Sequence, residues 1–171
     1  MQKTELRLAG VIRESIVDGP GIRMTVFVQG CPHHCKGCHN PQSWDFDGGY
    51  IGSVEKILEE AKKDPLLQGL TFSGGEPFCQ AEPLAKLGRL AHENGYNVMT
   101  YTGYTFEQLV AGFEQNPQWK ELLEQTDYLV DGPFILEKKS LLLHFRGSEN
   151  QRILDVKKSL EQNKAVIAEN I

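Results

Sequence analysis

Residues 23–38 read Arg23-Met24-Thr25-Val26-Phe27-Val28-Gln29-Gly30-Cys31-Pro32-His33-His34-Cys35-Lys36-Gly37-Cys38, and the junction inside this stretch decides the fold. The β-branched and aromatic run 24–28 predicts a strand, with Gly30 at its exit. The segment from Cys31 to Cys38 cannot be a regular helix. Positions i, i+4 and i+7 share a helix face, but the outer two thiols would stand about 10 Å apart along the axis. Pro32 and Gly37 oppose helix as well. A loop, by contrast, can wrap three sulfurs around one small object.

The same order, an apolar run followed by a glycine-bearing exit and then a helix, recurs along the chain. Strands are expected over 6–12, 70–72, 97–101, 128–130 and 141–145 besides 24–28, and helices over 54–63, 82–94, 106–113 and 118–125. Ser53 can cap the first helix, and Thr105 with Gln108 makes a capping box for the third. Strands alternating with helices of about ten residues imply βα units and a largely parallel sheet. In such sheets ligands bind at the carboxyl ends of strands. Val28 runs into the cysteine loop, Phe72 into Ser73-Gly74-Gly75-Glu76, Tyr101 into Thr102-Gly103 and Val130 into Asp131-Gly132-Pro133. With about five such units, a closed eightfold barrel does not fit. The expectation is an α/β fold: one domain over 1–171, built as a partial, laterally open (βα) barrel.

Composition narrows the partners. The 23 acidic residues outnumber 18 basic ones, for a formal charge of -5, where a phosphate-binding surface would show a basic excess. No window approaches the ~20 apolar residues of a membrane span, and Met1-Gln2-Lys3-Thr4-Glu5-Leu6 lacks the apolar core of a signal peptide. A cytoplasmic protein with no nucleic-acid or membrane partner is expected. In that compartment cysteines are ligands or catalysts rather than disulfides.

Thiolates are soft donors suited to iron–sulfur clusters or zinc. Three cysteines on a four-iron cube leave one iron without a protein ligand, which a substrate-binding cluster needs. Cys31, Cys35 and Cys38 are therefore the expected ligands of a [4Fe-4S] cluster. Two rival readings exist. His33, His34 or His39 could complete a zinc site, which would make the chain a zinc-stabilised interaction module. Cys35-Lys36-Gly37-Cys38-His39 also matches the haem-attachment pattern, but leaves Cys31 unexplained. Cys79, alone, reads as a small buried residue or spare thiol.

The glycines of Ser73-Gly74-Gly75-Glu76-Pro77 let backbone approach a ligand closely, and Glu76 adds negative charge, a chemistry for an ammonium group rather than a phosphate. Taken together, the CxxxCxxC loop and Gly74-Gly75-Glu76 resemble the radical S-adenosylmethionine superfamily. Val17-Asp18-Gly19-Pro20-Gly21-Ile22-Arg23 and Cys38-His39-Asn40-Pro41-Gln42-Ser43-Trp44 resemble its glycyl-radical-enzyme activases. The segments around Tyr101-Thr102-Gly103-Tyr104, Asp131-Gly132-Pro133-Phe134 and Arg146–Arg152 are similar to the activases that serve anaerobic ribonucleotide reductase. The likeness runs from about Gly10 to Arg152; nothing after about Leu154 is matched, though a last strand and helix would fit there.

The resemblance implies an enzyme using a [4Fe-4S] cluster and S-adenosylmethionine to make a 5′-deoxyadenosyl radical. It implies a backbone glycine of the reductase as target, and a low-potential electron donor such as flavodoxin. Pyruvate formate-lyase, another glycyl radical enzyme, or a small molecule are alternative targets. Many superfamily members carry an aromatic residue before the third cysteine; here that residue is Gly37, so backbone of Gly37, Cys38 and His39 would meet the adenine. Gly74, Gly75 and Glu76 would receive the amino group, and Thr102 and Asp131 complete the expected cofactor contacts. Asp131 could equally hold a lysine, a ribose hydroxyl or a cation. Asp18, Arg146, Ser148 and Asn150 are either site residues or turn formers, and Trp44 reads as a packing residue.

Overall fold

The computed structural model describes residues 3–169 and 171. Seven strands form one sheet: β1 (Glu5–Ser15), β2 (Arg23–Val28), β3 (Tyr50–Ser53), β4 (Gly69–Gly74), β5 (Asn97–Tyr101), β6 (Tyr128–Asp131) and β7 (Arg152–Asp155). Their order across the sheet is β3-β1-β2-β4-β5-β6-β7, so the sheet ends at β3 and β7 and does not close. The pairings of β2, β4, β5 and β6 are parallel, and each runs in register toward a loop with expected chemistry. Both margins are antiparallel: β1 pairs with β2 and β3, and β7 with β6. The sheet is thus mixed, with a parallel centre, rather than largely parallel throughout.

Among the described residues five α-helices connect and follow these strands: α1 (Val54–Lys62), α2 (Ala81–Glu93), α3 (Phe106–Ala111), α4 (Pro117–Gln125) and α5 (Val156–Gln162). Both expected caps form. Ser53 Oγ accepts from the Lys56 amide at 3.2 Å. Thr105 Oγ1 accepts from Gln108 N at 3.1 Å while Gln108 Oε1 accepts from Thr105 N at 2.9 Å. Each such cap is worth about 1 kcal/mol.

Alternation along the strands separates two faces. Leu70 and Phe72 of β4, Val98 of β5, Leu129 of β6 and Leu154 of β7 join Leu84, Leu87, Leu122 and Leu123 of the helices in the main core. The α2–α4 contact is close enough that a Cβ on Gly88 would lie 2.9 Å from Gln125 Cβ. Neighbouring residues Met99, Val130 and Ile153 form a second, smaller cluster on the other face.

Two sequence expectations need correction. Residues 141–145 form no strand: Leu141 and Leu142 are 90% and 91% exposed, and Phe145 sits at φ 59, which breaks extended backbone. The edge of β6 they would have joined is taken by β7. Strand β3, unforeseen, pairs with β1 through Glu5–Ser53 to Leu8–Tyr50. A last strand and helix do follow residue 151, as β7 and α5. No helix among the described residues is long and apolar enough to cross a membrane.

Candidate active site

Strand β2 delivers Cys31 to the sheet rim, and the loop beyond it folds back onto the strand end. Gly30 N donates to Ser43 O at 2.7 Å and Cys31 N to Trp44 O at 3.1 Å. His34, in the left-handed region at φ 49, stacks on Trp44 with centroids 4.6 Å apart and planes 7° from parallel. Cys31 is buried and Cys35 and Cys38 are half-buried. Burial pushes the Cys31 thiol above its usual range, as expected for a thiolate taken from water before a metal compensates it.

The glycine loop at the end of β4 lies back to back with that strand end. A Cβ on Gly74, at φ 97, would meet Val28 N at 2.5 Å, and one on Gly75 would meet Gly30 O at 2.3 Å. Only glycines permit this approach. Glu76 is fully buried. Its carboxylate accepts from Thr102 Oγ1 at 2.8 Å, Gly103 N at 2.8 Å and Phe78 N at 3.0 Å, and its Oε1 lies 2.6 Å from His33 Nε2.

One cavity of about 350 Å³ opens on the face away from α1, α2 and α4, lined by Phe27, Ser73 and Tyr101, the out-of-core neighbours of Val28, Phe72 and Thr100. Of the residues expected from the sequence, it gathers Cys31, Cys35, Cys38, His39, Gly74, Gly75 and Thr102. Gly37, Glu76 and Asp131 do not line it. Gly37, at φ 78, faces Leu136 and Phe134: a Cβ there would lie 2.8 Å from Leu136 Cδ1. Asp131 is buried and committed elsewhere. It accepts from Phe106 N at 2.8 Å, capping α3 from a distance, and from Arg152 Nε at 3.0 Å.

Asp18 does line the cavity, and its turn is pinned beneath the sheet. Asp18 Oδ2 accepts from Ser15 Oγ at 2.6 Å and Thr25 Oγ1 at 3.1 Å, and Asp18 O accepts from Thr71 Oγ1 at 2.7 Å. The fully buried Arg23 donates to Thr71 Oγ1, Pro20 O and Leu70 O, and burial lowers its guanidinium to about 10. Arg146 also lines the cavity; its Nη1 donates to Gln151 O at 2.8 Å, while its shielded Nε has no partner among the described residues. Ser148 and Asn150 bond each other and the 133–135 backbone, as turn formers do. Phe134, read in the sequence only as the end of the Asp131-Gly132-Pro133-Phe134 motif and given no role there, lines the cavity and lies 5.1 Å from the His39 ring. It packs beside Gly37, where an added Cβ would lie 3.3 Å from the Phe134 ring.

The donor set fits a cluster better than one ion. A single zinc would need sulfurs about 2.3 Å from a common point, and no three His, Cys, Asp or Glu groups among the described residues converge in that way. Three thiols do line one cavity together, as the ligands of a cluster would. Cys79 is exposed and lines a different groove, so it supplies no fourth corner.

The family model described as a 4Fe-4S single cluster domain matches residues 17–154. The anaerobic ribonucleoside-triphosphate reductase-activating protein of Vibrio cholerae is 36% identical over 146 residues, spanning 81% of this chain and 90% of the relative. The protein of the same name from Pasteurella multocida is 38% identical over the same shares of both chains. Among solved structures, the crystal structure of QueE from Escherichia coli aligns with TM-score 0.47 and 18% identity over 59% of this chain and 53% of that one. The chain therefore belongs to the 4Fe-4S single cluster domain family and to the family of anaerobic ribonucleoside-triphosphate reductase-activating proteins.

Proposed function

We propose that this chain is a radical S-adenosylmethionine activase that installs a glycyl radical on anaerobic ribonucleotide reductase. The observation that carries the reading is the shared cavity: three thiols of one loop and the two glycines of another line it together. When bound, a [4Fe-4S] cluster and S-adenosylmethionine supply reductive carbon–sulfur cleavage, giving a 5′-deoxyadenosyl radical that takes hydrogen from a backbone glycine.

The chain's own residues have distinct tasks. Cys31, Cys35 and Cys38 would hold three irons and leave the fourth open to the cofactor's amino and carboxylate groups. Backbone of residues 73–75 would receive the N–H groups of that amino end, since the Glu76 carboxylate already serves four donors. Arg146, with its free Nε, is suited to the methionine carboxylate. Gly37, Cys38, His39 and Phe134 would border the adenine, and Thr102 the ribose or amino end. Asp131 acts at one remove, by holding Arg152 and the start of α3. These groups fix the reacting atoms in one geometry; the protein contributes orientation and exclusion of water.

A protein substrate suits the rim. Ile16, Val17, Leu141 and Leu142 are 71–91% exposed, and the loops carrying them also supply Val17, Leu143 and Phe145 to the cavity. An open sheet, acting as a partial barrel within a single domain, would admit a polypeptide loop from the side. A low-potential one-electron donor such as flavodoxin and a cytoplasmic setting complete the reading.

The test is anaerobic reconstitution with iron and sulfide, then dithionite and S-adenosylmethionine, with and without the reductase. Release of 5′-deoxyadenosine and a glycyl-type doublet on the reductase are expected. An intact four-iron cluster that yields no 5′-deoxyadenosine would overturn the chemistry. A doublet only on another glycyl radical enzyme would overturn the partner.

A further inference from the structure

His33 lies between two of the cluster cysteines yet turns toward the glycine loop. Its Nε2 is 2.6 Å from Glu76 Oε1, and its side chain is 17% exposed against 0% for the glutamate. The carboxylate already accepts O–H and N–H donors from Thr102, Gly103 and Phe78, so the imidazole nitrogen facing it carries the proton. The ring is held from the other side by Tyr104, edge-on with centroids 4.6 Å apart. Gly103 leaves it room: a Cβ there would lie 2.4 Å from His33 Cδ2. One buried carboxylate thereby sews together the loops that follow β2, β4 and β5.

We propose that His33 is a positioning residue, whose bond to Glu76 sets the distance and tilt of the cysteine loop relative to the glycine loop. No other side chain of residues 31–38 bonds directly to the glycine loop in the described structure. The strand pairing of β2 with β4, extended by Gly75 N donating to Val28 O and Glu76 N to Gly30 O, both at 2.8 Å, fixes the chain as far as Gly30, but the cysteines lie beyond it. Their placement against the cofactor's amino end needs a tie of its own, and the histidine–glutamate bond is that tie. Groups that orient a metal site without touching it commonly change affinity or activity 10- to 100-fold. The inference rests on the cofactor assignment above.

The experiment uses the reconstituted full chain and reads S-adenosylmethionine affinity from the change it causes in the reduced cluster's electron paramagnetic resonance. His33→Ala is expected to keep its iron and weaken that affinity by about 10-fold or more. His33→Gln, which can present an N–H at the same place, should restore most of it. Gly103→Ala should reproduce the loss with His33 intact, because the added methyl displaces the ring. In the metal-free chain, amide exchange at Gly103 should quicken in His33→Ala, since its acceptor Glu76 loses a clamp. Unchanged affinity in His33→Ala, a glutamine variant no better than alanine, or loss of iron equal to that of a cysteine variant would each overturn the proposal. Wild-type protein that retains its cluster and does not respond to S-adenosylmethionine would instead overturn the functional reading itself.

Discussion

The two faces of the sheet are built from adjacent residues of the same strands and differ in kind. Toward the helices, Phe72, Leu70, Val98 and Leu129 pack against Leu84, Leu87, Leu122 and Leu123, all nearly or wholly shielded. One residue along, the opposite face buries Arg23, Thr25 and Thr71 against the half-buried Asp18, then opens into the cavity of the cysteines. The first face is apolar and gains stability from area removed from water. The second buries polar groups that contribute only when every partner is present. Stability and chemistry are thus separated by a single step of the pleat, and lesions on the two faces should fail differently.

The largest effect is expected at the cavity. Cys35→Ala should lose the cluster and all 5′-deoxyadenosine formation, while urea denaturation of the metal-free chain shifts by no more than about 0.5 kcal/mol, as for a half-buried site without core contacts. Phe72→Ala should do the reverse, costing about 3–5 kcal/mol of stability, with iron per folded molecule unchanged. Thr71→Val tests the polar layer between them. It keeps the shape but leaves Arg23 Nε unpaired, for a loss of about 1–3 kcal/mol. A cysteine variant that unfolds the metal-free chain would break the division.

How much of this was legible in the sequence depends on range. The cysteine loop, the glycine loop and the Thr105–Gln108 capping box rest on spacings of a few residues, and the structure forms each of them as local chemistry dictates. The four central strands were legible for the same reason, through short apolar runs with glycine exits. What failed depended on distant partners. Leu141-Leu142-Leu143 has strand composition, but the edge it would need belongs to Arg152–Asp155. Tyr50–Ser53 contains Gly52 and little β-branched character, and becomes a strand because Glu5–Leu8 offers it an edge. Phe134 beside Gly37, and His33 on Glu76, are contacts across about a hundred and about forty residues of sequence that no local pattern announces.

The exposed leucines sharpen the comparison a third way, since they belong to neither buried face. Leu141→Ser with Leu142→Ser should leave stability within about 0.5 kcal/mol and leave 5′-deoxyadenosine formation without partner unchanged. The concentration of reductase that half-saturates glycyl radical formation should rise roughly tenfold, equivalent to about 1.4 kcal/mol. An unchanged value would remove these side chains from the docking surface. A fall in partner-free cleavage would show that they cover the cofactor instead.

The smallest effect lies where the faces meet, at the end of β6. Arg152 bridges buried Asp131 and exposed Glu107, donating to Glu107 Oε1 at 2.6 Å, and this bond holds the Glu107 carboxyl below its usual value of 4.5. A carboxyl whose folded value is depressed adds stability that is fully present above its unfolded value and disappears as pH falls through the folded one. Glu107 is 59% exposed, so solvent screens the pair and its worth is under about 1 kcal/mol. Glu107→Gln should therefore lower the urea midpoint slightly at pH 7, and the gap from wild type should narrow as pH falls below 4.5 and close once the depressed folded carboxyl is protonated. A gap that persisted in acid would mean that the side chain acts through packing on Arg152 rather than through charge. The margin of β6 would then belong with the apolar face rather than the polar one.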